Sequence, residues 1–266
     1  MGSEIRLEGR GLHGGQGSSV RLVPATGPLL FGAAGDLLPL ERLVLGDTLR
    51  STSVRAGGSI VRTVEHLFAA LAGRGIHEGL RVEIDGAELP LLGGGAREYA
   101  VALATLELPP RLPWLRVARA ATFDVEGSQY VFEPGEGVEV RVALELDDPR
   151  LARDAVWRGE PRDFIDRIAP ARTFAFARDL PELLRESLAM GAAPESVVVI
   201  AAEIHAQGVF EPDEPARHKL LDLLGDAYLY GGPPRGRMHA TRPGHARNHV
   251  AFRRALDASV LQLVVS

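Results

Sequence analysis

Three prolines in seven residues, LPPRLPW at 108–114, constrain the fold of this chain more than any other stretch. Proline has no backbone N–H to give and a fixed φ, so neither a helix interior nor a central strand can run through the segment. The chain is thereby cut into residues 1–110 and 111–266, each long enough for one domain. Before the cut, residues 3 to about 55 alternate short β-leaning pieces such as SSVRLVP and RLVLG with Gly/Pro-rich turns. TVEHLFAALAG (63–73) then predicts a helix, with Thr63 as its N-cap and Gly73 as its stop. GLRVEIDG (79–86) alternates like a half-buried strand, and AREYAVALATLEL (96–108) predicts a second helix. Beyond the cut come the strands LRVARAATFDV, QYVFEP and VEVRVALEL, a helix near 179–190 and the apolar strand SVVVIAA (196–202). A helix follows within EPDEPARHKLLDLLGDAYLYG, then HARNHVAFRRAL as helix and SVLQLVVS as strand. Each half runs strands, helix, strand, helix. The expected class is therefore α+β, two layers of similar plan, although no internal repeat is visible in the sequence.

Composition removes several functions. With 24% charged residues and a formal net charge of −5, the chain lacks the broad cationic face that nucleic-acid backbones need, and no nucleic-acid partner is expected. There is no cysteine, which excludes disulfides, thiol nucleophiles and cysteine-built metal sites. Any metal must be held by histidine and carboxylate. MGSEIRLEGRG lacks the apolar core of a signal peptide, and no run approaches the roughly 20 apolar residues of a membrane span, so a cytoplasmic protein is expected. Lys219 is the only lysine among thirty Lys plus Arg, a compact ammonium where every other cation is a planar fork.

Familiar motifs fail in their context. GRGLHG (9–14) fits G-x-G-x-x-G, but the following GSSVRLVPA reads as a strand, whereas a dinucleotide fingerprint opens a helix. A P-loop is excluded because it ends Gly-Lys and the only lysine follows His218; no G-x-S-x-G elbow occurs either. The helix around Lys219 is well marked: Pro215 suits its first turn, acids at 211, 213 and 214 crowd its positive end, and Gly231 lies just past its end. His218, Asp222 and Asp226 fall within about 80° of one another on a helical wheel, with Leu220, Leu223, Leu224 and Ala227 on another side. His218 and Asp222 at i and i+4 suit one cation, and suit a solvated polar face equally well. In TVEH, His66 is a candidate third ligand and Glu65 a candidate base for water. The same pair also reads as a first-turn acid and a partly buried cap residue. His245 and His249 in RPGHARNH form a rival i, i+4 metal pair, or a surface pair, or His245 is an acid–base group at a helix start.

Taken together the segments GLHGG, TVEHLFAALAGRGI, ELPLL, ARTFAF, RHKLLDLLGD and GHARN resemble, in order and spacing, the UDP-3-O-acyl-N-acetylglucosamine deacetylases, zinc amidases of lipid A synthesis. The resemblance covers nearly the whole chain. It implies His66, His218 and Asp222 as ligands of Zn2+, Glu65 as general base and His245 as the catalytic histidine. It also implies that Lys219 and Asp226 line the active site and that Thr173 hydrogen-bonds the substrate carbonyl or oxyanion. The implied fold is two similar two-layer sandwich domains packed face to face, residues 1–110 and 111–266, with the metal between them. An insert around 174–200 in the second domain would form a passage for the acyl chain. The implied substrate is a UDP-linked, acylated amino sugar, and a monomer is expected. Departures exist: Gly93, Gly94, Gly95 and Ala96 follow ELPLL where Asp-Gly-Ser-Ala is usual, and GAAPES (191–196) replaces a Gly-Gly-Ser-x-Asp-Asn pattern. TRPGH replaces Tyr-Lys-Ser-Gly-His, which makes Arg242 a candidate for diphosphate contacts, and His249 stands where asparagine is usual. A deacetylase for another acylated amino sugar, or a non-catalytic nucleotide-sugar or lipid-binding relative, is the alternative.

Overall fold

Alternating buried and exposed side chains in the N-terminal strands close them into a five-stranded sheet, in the order Ile5–Arg10, Gly17–Pro28, Glu78–Asp85, Leu30–Ala33, Asp36–Pro39. The computed structural model describes residues 4–106, 108 and 110–264, so Pro109 of the proline segment and the last two residues of SVLQLVVS lie outside the described residues. Neighbours in this sheet are antiparallel except the pair Glu78–Asp85 and Leu30–Ala33, which is parallel. A second sheet repeats the plan with Ala121–Val125, Ser128–Glu133, Gly236–Thr241, Val138–Ala143 and Asp154–Trp157. Its single parallel pair, Gly236–Thr241 with Val138–Ala143, stands at the same place in the order. The two sheets therefore share one connectivity, the duplication that no residue-level repeat discloses. What is repeated is the burial pattern, which many residue choices satisfy.

A parallel pair needs a crossover, and helices supply it on both sheets. The helices are α1 (Glu65–Arg74), α2 (Arg97–Ala104), α3 (Pro161–Asp163, continued by the wide turn Phe164–Ile168), α4 (Leu180–Arg185), α5 (Glu214–Tyr228) and α6 (His245–Asp257). In the first unit α1 precedes the late strand and α2 follows it; in the second, α5 and α6 hold the same places. Each unit also carries a small extra sheet: Val44–Leu45, Val54–Ala56 and Ser59–Val61 in the first, and Thr173–Phe176, Val197–Ile200 and Ile204–His205 in the second. The latter lies over the expected insert. There Thr173–Phe176 pairs in parallel with Val197–Ile200, and α4 forms the crossover.

One core joins the two units, with Phe31, Leu67, Phe68, Phe132, Tyr228 and Phe252 fully buried in it. The two central helices meet closely. A Cβ on Gly225 of α5 would lie 2.0 Å from the Glu65 carbonyl oxygen of α1, so only glycine permits this approach. Phe68 packs on Tyr228 one turn further along, ring centroids 5.5 Å apart. Every residue of α5 is buried except Lys219, which is half-buried. The expected polar and apolar sides of α5 are thus both interior, because the helix lies between two layers.

Local expectations need correction. α1 starts at Glu65, not after a Thr63 cap: Thr63 has φ +57° and its hydroxyl donates to Glu88 Oε1 at 2.8 Å. Nor does Gly73 stop the helix. It faces the Phe164 ring inside the last turn, and Gly75, left-handed at φ 66°, ends it. The acids before α5 do more than meet a dipole, since Glu214 binds the guanidinium of Arg172 at 2.7 and 3.0 Å, and Asp213 and Glu211 bind Arg217. The helix near 179–190 is shorter than expected, because Ser187 and Ala189 take left-handed φ values. Among the described residues no helix is long and apolar enough to cross a membrane.

Candidate metal centre and active site

The first turn of α1 and the second and third turns of α5 meet where glycine lets their backbones touch. His66 comes from α1, His218 and Asp222 from α5, and all three are 3% exposed. Asp222 Oδ1 lies 3.5 Å from His218 Nε2 and 3.8 Å from His66 Nε2. The two imidazoles stand edge to face, with centroids 5.2 Å apart. Three ligands at about 2.0–2.1 Å around a tetrahedral ion are spaced about 3.3–3.4 Å apart, close to this arrangement.

Electrostatics and hydrogen bonds favour the same reading. Asp222 Oδ1 is buried with no hydrogen-bond partner among the described residues, an isolated acceptor that a cation would satisfy. Its other oxygen accepts from Lys219 Nζ at 2.7 Å. Burial would raise Asp222, but Lys219 and the surrounding histidines hold its carboxyl well below the usual range. His218 Nδ1 donates to the Ala171 carbonyl at 3.0 Å, which turns the lone pair of Nε2 toward Asp222. Burial and the neighbouring His218 push His66 down to about 3, and burial lowers His218 also, so both rings are neutral donors.

Glu65 adjoins this triad and is 3% exposed. Its Oε2 accepts the Thr52 backbone N–H at 2.9 Å. Burial, partly offset by His245, raises its carboxyl to about 8; a cation on the triad would favour its charged form. On the other side stands His245, the first residue of α6. Its Nδ1 donates to Asp226 Oδ2 at 3.0 Å, and its Nε2 lies 3.7 Å from Asp222 Oδ2. Burial disfavours the imidazolium, but Asp226 and then Asp222 outweigh it and bring the ring to about 9. Asp226, itself fully buried, is held well below the carboxylate range by His245 and His249 against its own desolvation.

These groups open on a cavity of about 430 Å³. Its walls include Glu65, His66, Thr173, His218, Lys219, Asp222 and His245, together with apolar Leu12, Phe174, Phe176, Leu183 and Val197. Seven of the eight expected site residues thus face one space, and Asp226 stands behind His245. The Thr173 hydroxyl donates to the Gly94 carbonyl at 3.0 Å. Gly94 has φ +89°, and a Cβ there would strike the Ser196 carbonyl at 1.8 Å, so the glycine run lets the insert seat against the first unit.

Two expectations do not survive. Arg242 is turned away from the cavity, bound to the Gly127 carbonyl and to Glu145 Oε2 at 3.1 Å; Arg50 and Arg247 are the arginines in its wall. His245 and His249 are neither a surface pair nor a metal pair: both are buried, and His249 faces Thr52 and Tyr230. Sequence reasoning missed Thr52 and His13. His13 lines the cavity, with neither ring nitrogen partnered among the described residues. The GLHGG segment pointed to its neighbourhood, whereas nothing in STSVR marks Thr52.

Two histidines and an aspartate around a buried gap, with a carboxylate alongside, is the donor arrangement of metal-dependent hydrolases. The family model for UDP-3-O-acyl N-acetylglycosamine deacetylase, LpxC, matches residues 1–257, and the chain belongs to this family. Proteins named UDP-3-O-acyl-N-acetylglucosamine deacetylase are similar along almost all of it. That of Myxococcus xanthus is 35% identical, over 97% of this chain and 86% of its own length. Those of Anaeromyxobacter dehalogenans and Psychrobacter arcticus are 33% and 31% identical, over 100% and 95% of this chain and 89% and 83% of their own lengths.

Proposed function

We propose that this protein hydrolyses the N-acetyl amide of a UDP-linked, 3-O-acylated N-acetylglucosamine, releasing acetate and the free amine, as a cytoplasmic monomeric enzyme of lipid A synthesis. Residues 1–110 and 111–266 act as its two domains. Zn2+ is the ion, held by His66, His218 and Asp222, and it would supply Lewis acidity toward the amide carbonyl and toward water. The observation that carries this reading is Asp222 Oδ1, buried, without a hydrogen-bond partner among the described residues and facing both imidazole nitrogens.

The chain's own groups divide the remaining work. Glu65 takes a proton from the attacking water as the new C–O bond forms. Thr173 exchanges its bond to Gly94 for one to the developing oxyanion, and the Lys219 ammonium adds positive charge nearby. His245, kept cationic by Asp226, gives a proton to the leaving nitrogen as the C–N bond breaks. The apolar wall formed by Phe174, Phe176, Leu183 and Val197, within the insert at 174–200, suits an acyl chain. Arg50 and Arg247 suit a diphosphate.

The test is acetate release from the UDP-linked substrate by metal-loaded protein. Wild type should release it and Glu65→Ala should lose at least about 100-fold in turnover. Nucleotide binding with no acetate from either protein would establish the binding-module alternative instead.

A further inference from the structure

Thr52, in a short segment between two strands of the small N-terminal sheet, touches both halves of the site. It is 1% exposed. Its backbone N–H holds Glu65 at 2.9 Å, and its hydroxyl donates to Asp226 Oδ1 at 2.6 Å. The hydroxyl has a single proton, spent on Asp226, so His249 Nε2 at 3.0 Å must itself donate to Thr52 Oγ1. His249 Nδ1 stands 3.1 Å from the Tyr230 hydroxyl. The direction of the bonds at Thr52 is therefore fixed: His249 to Thr52, Thr52 to Asp226. The second oxygen of Asp226 accepts from Asn248 Nδ2 at 2.7 Å and from His245 Nδ1 at 3.0 Å. The Asn248 amide is oriented in turn by Tyr130, whose hydroxyl donates to its oxygen at 2.6 Å.

We propose that Thr52 is a positioning residue of the reaction: it ties the carboxylate of Glu65 to the Asp226–His245 pair and fixes Asp226 so that His245 keeps Nδ1–H inward and Nε2 toward the cavity. This rests on the amidase reading above. A rigid link of this kind stabilises the transition state through geometry, with no contact to substrate. His249 and Tyr230 anchor its far end.

Thr52→Val keeps the shape and the backbone N–H but removes the hydroxyl, and Thr52→Ser restores it. Metal-loaded wild type, Thr52→Val and Thr52→Ser are compared for kcat, KM and bound zinc. The expected result for Thr52→Val is at least a tenfold loss in kcat with KM and zinc within twofold of wild type, and recovery to within threefold in Thr52→Ser. Thr52→Val at wild-type kcat, or Thr52→Ser as impaired as Thr52→Val, overturns the proposal. If Thr52→Val does not fold, His249→Phe removes the donor to Thr52 and should cost at least threefold in kcat at constant zinc; no change overturns it. Nitrogen-15 NMR of the zinc-loaded protein reads the His245 tautomer independently of turnover. Wild type should show the Nδ1–H form or the doubly protonated ring, and His249→Phe and Thr52→Val a shift toward Nε2–H. Unchanged spectra in both overturn the proposal. A wild type that releases no acetate would instead defeat the amidase reading, and the NMR comparison would still decide the link.

Discussion

Asp226→Asn keeps the shape of a fully buried side chain and removes its charge. In the native site desolvation opposes the His245 imidazolium, and Asp226, 3.0 Å from Nδ1, is its foremost support. The rise from 6.5 to about 9 corresponds to about 3 kcal/mol in favour of the charged ring. A cation on Asp222 cancels most of that carboxylate's share, which leaves Asp226 as the partner the ring keeps. The sign follows directly. A raised value means that the ring loses its proton only on the alkaline side, so a kcat that needs the imidazolium falls there; a cation on Asp222 brings that limb below about 9. With asparagine present the ring loses its foremost support against desolvation and titrates lower. A ring returned to its ordinary 6.5 would be about one-tenth charged at pH 7.5, a loss of about tenfold in kcat. The assay is acetate release from pH 6 to 10, with zinc measured in each sample. An alkaline limb in Asp226→Asn that stays where wild type has it would refute the assignment of His245 as the acid.

Lys219→Arg should cut turnover at least about tenfold with zinc content intact, because a bulkier, more diffuse guanidinium replaces the compact ammonium that meets Asp222 Oδ2 at 2.7 Å; near-normal turnover would refute this. Gly225→Ala drives a methyl to 2.0 Å from the Glu65 carbonyl and should cost about 1–3 kcal/mol, read by denaturant melts, with zinc affinity falling as the helices part. Arg172→Ala leaves the Glu214 carboxylate with the residue 172 backbone N–H but without the guanidinium and should cost about 1.5–3 kcal/mol in the same melts.

How much of this was legible depended on the range of the determining interaction. The ligand spacing in RHKLLD is local, and one helix turn placed His218 and Asp222 on a common side as expected. His66 was a candidate third ligand from TVEH, but only the family pattern favoured it over a cap residue, since its meeting with α5 depends on a glycine 159 positions later, Gly225, lying against Glu65. Burial misled the local readings. Thr63 resembled a cap, yet a long-range bond to Glu88 takes its hydroxyl. Arg242 stands beside the site in sequence, but a left-handed φ of 54° and Glu145 turn it outward. His249 read as half of a rival metal pair or a surface pair and is fully buried, hydrogen-bonded to Thr52. Thr52 carried no signal at all, because a threonine's role is set entirely by what the fold brings to it.

The most direct test is a crystal structure of the zinc-loaded protein with anomalous scattering recorded at the zinc edge. It should show one ion about 2.0–2.2 Å from His66 Nε2, His218 Nε2 and Asp222 Oδ1. An ion bound elsewhere, or His66 and His218 failing to share it, would contradict the account.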